Sequence, residues 1–320
     1  MIGFIDFTLP GMTNRPSLPN AHRMLGRFLY FIVNPHAGVG TGRYALSKVE
    51  EIVRRGEGEV AVLQHGEDVA IAVEQALYQG ATDIIAVGGD GTVGGVAGTL
   101  AGTDVHMGIV PAGTANMFAR ELGIPISISG SLDLIMGERG IRQVDAMEVN
   151  GRRFIHQVLL GVGSEALSRV TSREKRILRR SVYALMGLRA FRDFRPVWVN
   201  AIIDGEEVSG WVSQVLIANA GILGIHPFRL GPDIRVDDGR ADVIFMGGRS
   251  RTSLILAGLY LLGGSYDEAH RMRCFPVRRS AHIETEPKTI IRADGEFIGM
   301  TPLDLTVLPG AVKAIVPSTV

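Results

Sequence analysis

The chain carries one cysteine, Cys274, and only four lysines, at 48, 175, 288 and 313, in 320 residues. A lone cysteine excludes an intramolecular disulfide and a cysteine-built metal cluster. The other basic residues are arginines, a skew read as genome composition rather than function. The 33 basic and 33 acidic residues cancel, so no global charge favours nucleic acid. No uninterrupted apolar run approaches the roughly 20 residues of a membrane-spanning helix. Also missing are G-x-x-x-x-G-K-[ST], G-x-S-x-G and H-E-x-x-H, which excludes a Walker-type kinase, a serine nucleophile elbow and a zincin. Residues 1–26 hold three prolines and lack the basic start and apolar core of a signal peptide, so they read as a loose leader. A cytoplasmic location is the default expectation.

What is present suits a globular protein of two domains: 46% hydrophobic and 21% charged residues over this length. The first half alternates unbroken apolar runs with helical periodicity. Strands are expected over 28–33, 60–63, 84–87 and 105–110, and helices around Leu46 to Val53 (stopped by Gly56 and Gly58), over 68–78 and over 92–100, the last weakened by glycine. Such alternation predicts a parallel sheet covered on both faces. Three glycine-rich stretches (34–42, 88–95 and 111–116) fall after strands, where ligands of such sheets sit, so they can converge on one ligand. From about Arg142 the texture changes, and the domain boundary is expected around Asp145. Strands are expected over 144–149, 153–160, 197–203, 211–218, 241–246, 281–286 and 289–293, with Asn150-Gly151 and Asp204-Gly205 as hairpin turns. This half reads as an antiparallel β domain interrupted by helices near 165–192 and 252–263.

The organising stretch is Asp83 to Gly95, an apolar strand ending in Gly88-Gly89-Asp90-Gly91-Thr92. Glycines there let backbone N–H groups approach a polyanion at a helix N-terminus. Gly89-x-Gly91-x-x-Gly94 also fits a dinucleotide fingerprint. However, the next strand-like run ends Pro111-Ala112-Gly113 without the acidic residue the ribose requires. Asp90 would face phosphate tolerably only across a cation. Thr114 and Asn116 can cap the following helix or donate to phosphate oxygens. The turn at Asp233, Asp237, Asp238 and Asp242 is either an ordinary acidic turn or a hard-cation site. Asp294-Gly295 is either a hairpin signal or the seat of a general base. The segment 173–195, rich in arginine, is either a solvated helix face or a surface for anionic lipid headgroups. His36, His65, His156, His226 and His282 show no ligand spacing and read as structural.

Taken together, these stretches resemble the diacylglycerol kinase catalytic-domain family, which includes bacterial soluble lipid kinases and sphingosine kinases and is distantly related to NAD kinases. The resemblance covers nearly all of 27–317. It rests on Asn34-Pro35-His36-Ala37-Gly38, Gly88 to Thr92, Pro111 to Arg120, Val144-Asp145, Gly161-Val162-Gly163, Asp237-Asp238-Gly239, and Asp294-Gly295-Glu296 leading to Thr301-Pro302-Leu303. It implies an α/β nucleotide-binding domain (27–144 plus about 304–320) and a β-sandwich-like lipid-substrate domain (145–303), with the active site in the cleft between them. The implied reaction is ATP-dependent phosphorylation of a hydroxyl on a diacylglycerol-like or sphingoid lipid, at a transient membrane surface and without nucleic acid. By resemblance, Asn34, Pro35, Gly38, Gly88, Gly89, Asp90, Gly91, Thr92, Thr114 and Asn116 surround the nucleotide. Asp90 and Asp145 serve Mg²⁺, and Asp294 is the base with Glu296 beside it. Asp238 and the carbonyls of Arg235 and Arg240 form a structural cation site. Gly94-Gly95 and Met117 depart from the family's Asn-Glu and Asp, which keeps a non-catalytic nucleotide- or lipid-binding relative open as the alternative. A nicotinamide-dependent oxidoreductase is the remote one. Homodimerisation is left open.

Overall fold

A computed structural model describes residues 26–161, 164, 192, 194–222, 230, 233–253 and 272–318. The expected helices near 165–192 and 252–263, the leader and most of the basic segment 173–195 lie outside the described residues.

The first half is built as its apolar runs require. β1 (Leu29–Val33), β2 (Glu59–Val62), β3 (Asp83–Gly88) and β4 (His106–Pro111) are parallel in the order β2-β1-β3-β4. β1 and β3 are buried along their full length. Helices α1 (Thr41–Arg54) and α5 (Ile128–Met136) bury one face of this sheet. Helices α2 (Val69–Tyr78), α3 (Asp90–Leu100) and α4 (Met117–Glu121) bury the other. The chain leaves β1 toward β2 and returns on the far side as β3. The crevice at that reversal is where a ligand finds room beyond the strand C-termini.

The second half comprises β5 (Gly140–Val149), β6 (Arg152–Phe154), β7 (Gln157–Gly161), β8 (Val197–Ile203), β9 (Glu206–Val212), β10 (Gln214–Ala218), β11 (Ala241–Met246), β12 (Met272–Val277), β13 (Ser280–Glu286), β14 (Ile290–Ala293), β15 (Glu296–Met300) and β16 (Leu303–Val316). One sheet runs β12-β11-β10-β7-β14-β15, antiparallel throughout. The other joins β16, β13, β8 and β9 to the parallel strands, and a core that includes Val158, Leu160, Val199 and Ile283 fills the space between the sheets.

Two expected strands are each two. The stretch 153–160 breaks at Ile155-His156 between β6 and β7. The stretch 211–218 breaks at Ser213, whose N–H and Oγ both donate to the Met246 carbonyl (3.0 and 2.9 Å). There the chain passes from one sheet to the other. β16 is the second unexpected feature. It pairs with β13 at its start, with β4 near its end, and with β5 along most of its length. The segment expected to return to the first domain therefore begins inside the β domain and crosses between the two.

Candidate active site

The three glycine-rich stretches meet. The Asn34 N–H donates to the Val87 carbonyl (2.9 Å) and the Ala112 N–H to the Gly88 carbonyl (2.8 Å), which aligns the ends of β1, β3 and β4. A Cβ on Gly113 would lie 2.5 Å from the Gly89 Cα, and one on Gly38, at φ +61°, would lie 2.5 Å from the Ala112 carbonyl oxygen. Only glycine permits such backbone approach. The Asn34 Nδ2 donates to Thr92 Oγ1 (3.2 Å), and its Oδ1 accepts from the His36 N–H (3.0 Å). Thr92 is buried, while Gly38, Gly91 and Thr114 are exposed toward the cleft mouth. Pro35 is half-buried beside them.

Asp90 opens α3 and holds the third loop. Its two oxygens accept the backbone N–H groups of Asn116 (3.0 Å) and Met117 (2.6 Å) at the start of α4. Asn116 sits at φ +49°, and its amide exchanges hydrogen bonds with Gly113, so its side chain shapes the loop and is not free for phosphate. Each Asp90 oxygen keeps a lone pair for a cation.

Asp294 arrives from the other domain. It occupies the first turn position between β14 and β15 at φ +47°, followed by Gly295 at φ +88°. Its carboxylate accepts N–H groups from Ile155 (3.1 Å), His156 (3.2 Å) and Gln157 (2.8 Å). A Cβ on Gly94, one helical turn beyond Asp90, would lie 3.4 Å from Asp294 Oδ2. The carboxylate and the glycine turn therefore share one opening. Asp294 retains some accessible surface, yet it is surrounded densely enough that burial raises its pKa against the opposing pull of His156 and the three N–H donors. The sequence reads His156 as structural. Its ring is buried and neither nitrogen has a hydrogen-bond partner. No ligand spacing marks it; only its place between β6 and β7 does.

Two expected site residues, Glu296 and Asp145, lie elsewhere in character. Glu296 pairs with Arg152 at the surface (2.7 Å) rather than with the Asp294 carboxylate. Asp145 does not join Asp90. Its oxygens accept the N–H groups of Gly239 and Gly310 (both 2.7 Å), which places it against the acidic turn. In that turn Asp238 pairs with Arg240 (3.2 Å), and Asp237 with Arg142 (2.8 Å) and Arg235 (3.2 Å). Burial, with a smaller push from Asp145 and Asp237, raises the Asp238 pKa against the pull of Arg240, whereas at Asp237 burial is outweighed by Arg142 and Arg235, which hold its pKa down. Among the described residues no three His, Cys, Asp or Glu side chains cluster as metal ligands. A cation there would rely on Asp238 and on carbonyls such as those of Arg235 and Arg240.

Together these features define a two-domain protein, a parallel α/β sheet fused to an antiparallel β sandwich, with three glycine-rich loops gathered at the strand ends and the Asp294 carboxylate of the second half packed beside the helix that follows them. The diacylglycerol kinase catalytic domain matches residues 28–149, and the YegS C-terminal NAD kinase beta sandwich-like domain matches residues 157–316. A diacylglycerol kinase of Bacillus subtilis (strain 168) is 29% identical over 78% of this chain and 82% of its own. A Pseudomonas aeruginosa protein named "Probable lipid kinase YegS-like" is 30% identical over 91% of this chain and 95% of its own. A crystal structure of a diacylglycerol kinase from Bacillus anthracis str. Sterne superposes with a TM-score of 0.71, covering 92% of this chain and 98% of that one. At 24% identity that likeness speaks for the fold alone. The chain belongs to the diacylglycerol kinase family of bacterial YegS-like lipid kinases.

Proposed function

We propose that the chain transfers the γ-phosphoryl group of ATP to a hydroxyl of a diacylglycerol-like or sphingoid lipid. The observation that carries this reading is Asp294 Oδ2 beside Gly94, on the helix that rises from the Asp90 turn. The lipid hydroxyl gives its proton to the Asp294 carboxylate as its oxygen bonds to the γ-phosphorus. The bond from that phosphorus to the β–γ bridging oxygen breaks, and ADP leaves. The backbone N–H groups of the three glycine-rich loops and exposed Thr114 suit phosphate oxygens. A bound Mg²⁺ would neutralise phosphate charge, and Asp90, at the mouth of that cradle, is the residue to hold it. Burial makes Asp294 a better proton acceptor than an ordinary carboxylate.

The test is phosphate transfer from radiolabelled ATP to mixed-lipid micelles, with products identified by mass spectrometry. Asp294→Ala that keeps full turnover would sink the assignment of the base. A second reading, a nucleotide- or lipid-binding relative without turnover, is favoured by Gly94 and Gly95, which bring no polar side chain to the start of α3 beside Asp294. It also draws on Asp90, whose oxygens already accept backbone N–H groups. ATP binding without any phosphorylated product across a broad lipid panel would establish it.

A further inference from the structure

The chain has two tryptophans, and they stand together. Trp198 on β8 and Trp211 on β9 are direct cross-strand partners, with ring centroids 5.6 Å apart at 72°. β8 turns Val197, Val199, Ala201 and Ile203 into the core, which leaves Trp198 on the outer face. Trp211 is 40% exposed. The Arg249 guanidinium lies 4.7 Å over the Trp211 ring. Arg273 reaches across from β12 to the Ser209 carbonyl (3.1 Å), and Arg195 stands exposed just before β8. Arg195, Arg249 and Arg273 are all exposed, and among the described residues none of the three has a carboxylate partner. The acidic residues nearby, Glu284 and Glu286, lie on β13, on the side of Trp198 away from Trp211, and bound the patch there. The patch occupies the end of the sandwich where β11 finishes and β12 begins. That is the end opposite the one where Asp294 meets Gln157.

Indole rings with an apolar body and one N–H favour the boundary between water and hydrocarbon, and unpaired guanidinium groups favour an anionic surface. A patch combining both is charge-complementary to anionic lipid headgroups and offers rings to the layer beneath them. We propose that the surface formed by Trp198, Trp211, Arg195, Arg249 and Arg273 docks the protein on an anionic lipid bilayer. Docking is separate from catalysis and is measured without ATP, so its failure and that of the kinase reading are distinguishable.

Because every tryptophan is in the patch, intrinsic fluorescence reports on it alone. The full chain is titrated with phosphatidylcholine vesicles, with and without phosphatidylglycerol. Emission is expected to shift to the blue only with phosphatidylglycerol, to be quenched by lipids brominated on the acyl chain, and to revert in high salt. The double variant Arg249→Glu/Arg273→Glu loses the Arg273 bond to the Ser209 carbonyl and the Arg249 stack on Trp211, both surface contacts, and is expected to melt a little below the wild type yet stay folded at the assay temperature. Its vesicle affinity should fall by at least about tenfold, since each cation near such a surface contributes about a fivefold gain and the variant removes two. Trp211→Ala should weaken binding and leave Trp198 emission less responsive. Vesicle pelleting without any change in tryptophan emission would overturn the proposal by assigning docking to another surface, as would no pelleting at all. A blue shift that grows with protein concentration in the absence of vesicles would overturn it in favour of an interface between two copies of the chain.

Discussion

Asp294 and Asp204 are the same device with opposite electrostatics. Each begins an Asp-Gly hairpin turn in the left-handed region, at φ +47° and +50°, and each accepts three backbone N–H groups from the start of a neighbouring stretch. For Asp204 burial pushes the pKa up, but the N–H groups of Arg278, Ser280 and Arg279 outweigh it and the net shift is downward. For Asp294 burial wins and the pKa rises. The linkage signs are therefore opposite. Asp204 contributes stability above the ordinary value of 3.8 that is lost as pH falls through its depressed pKa. The native state holds the Asp294 proton more tightly than the unfolded chain does, so its contribution is present below 3.8 and lost as pH rises through the raised value. Urea unfolding across acid pH should show the wild type losing stability relative to Asp294→Asn as pH rises through that window. Activity has the reverse dependence, because the base must be ionised: turnover should decline as pH falls through the raised value. Asp294→Ala should lower kcat by about 10²–10⁴-fold, the usual worth of a positioned base. A charged His156 would pull the Asp294 pKa down, so His156→Leu should move the acid limb of the rate profile to higher pH. An unmoved limb would show that the imidazole is electrically irrelevant. By spacing alone the two Asp-Gly pairs are alike, both legible as hairpins, and only the family resemblance singles out Asp294. What separates them is Gly94 across the cleft, a contact between positions 200 residues apart that no local pattern announces.

At the scale of the element, α3 shows why a poor helix sequence is retained. Gly91, Gly94, Gly95 and Gly98 fall within its 11 residues, and each glycine costs a helix interior about 1 kcal/mol relative to alanine. The offsetting gain is proximity. A Cβ on Gly95 would lie 3.1 Å from Val69 of α2, and one on Gly98 would lie 2.5 Å from the Arg153 carbonyl oxygen on β6. Helix propensity alone predicts that Gly98→Ala stabilises; the packing predicts the reverse. Gly98→Ala should therefore destabilise by about 1–3 kcal/mol in urea unfolding, the range for overpacking. A stabilised variant would mean that β6 gives way freely. The glycine spacing was visible as a weakened helix, but not its purpose, since that depends on which elements approach. The same limit explains 211–218. Ser213-Gln214 interrupts its apolar run, but a polar pair is ordinary within a half-buried strand, and the change of sheet shows only where the Met246 carbonyl accepts from buried Ser213. α5, β12, β15 and β16 carry too little local signal to be singled out, and they form because the parallel and antiparallel strands already present offer partners.

Across the whole molecule, the two halves are joined by more than a linker. β5 and β16 run side by side from Val149↔Leu305 in the sandwich to Gly140↔Val316 beside β4. Their register slips between Leu308 and Val312, where three residues of β16 stand opposite Asp145 alone. Asp145 fills that irregularity. It is 2% exposed, accepts the Gly310 N–H inside the bulge and the Gly239 N–H of the acidic turn, and its own N–H donates to the Val236 carbonyl (2.6 Å). A single carboxylate thus fixes the angle at which the shared sheet passes from one half to the other, and with it the approach of Asp294 to α3. Removing it strands two half-buried N–H donors and ends two charge-assisted bonds, a loss of about 3 kcal/mol or more. Because the sheet is continuous, that loss should appear in one cooperative transition for Asp145→Ala, with fluorescence from Trp198 and Trp211 in the β domain and circular dichroism dominated by the helices of the first half moving together. Two separated transitions would mean that the halves fold independently, and that the cleft geometry is set by contacts other than this shared sheet.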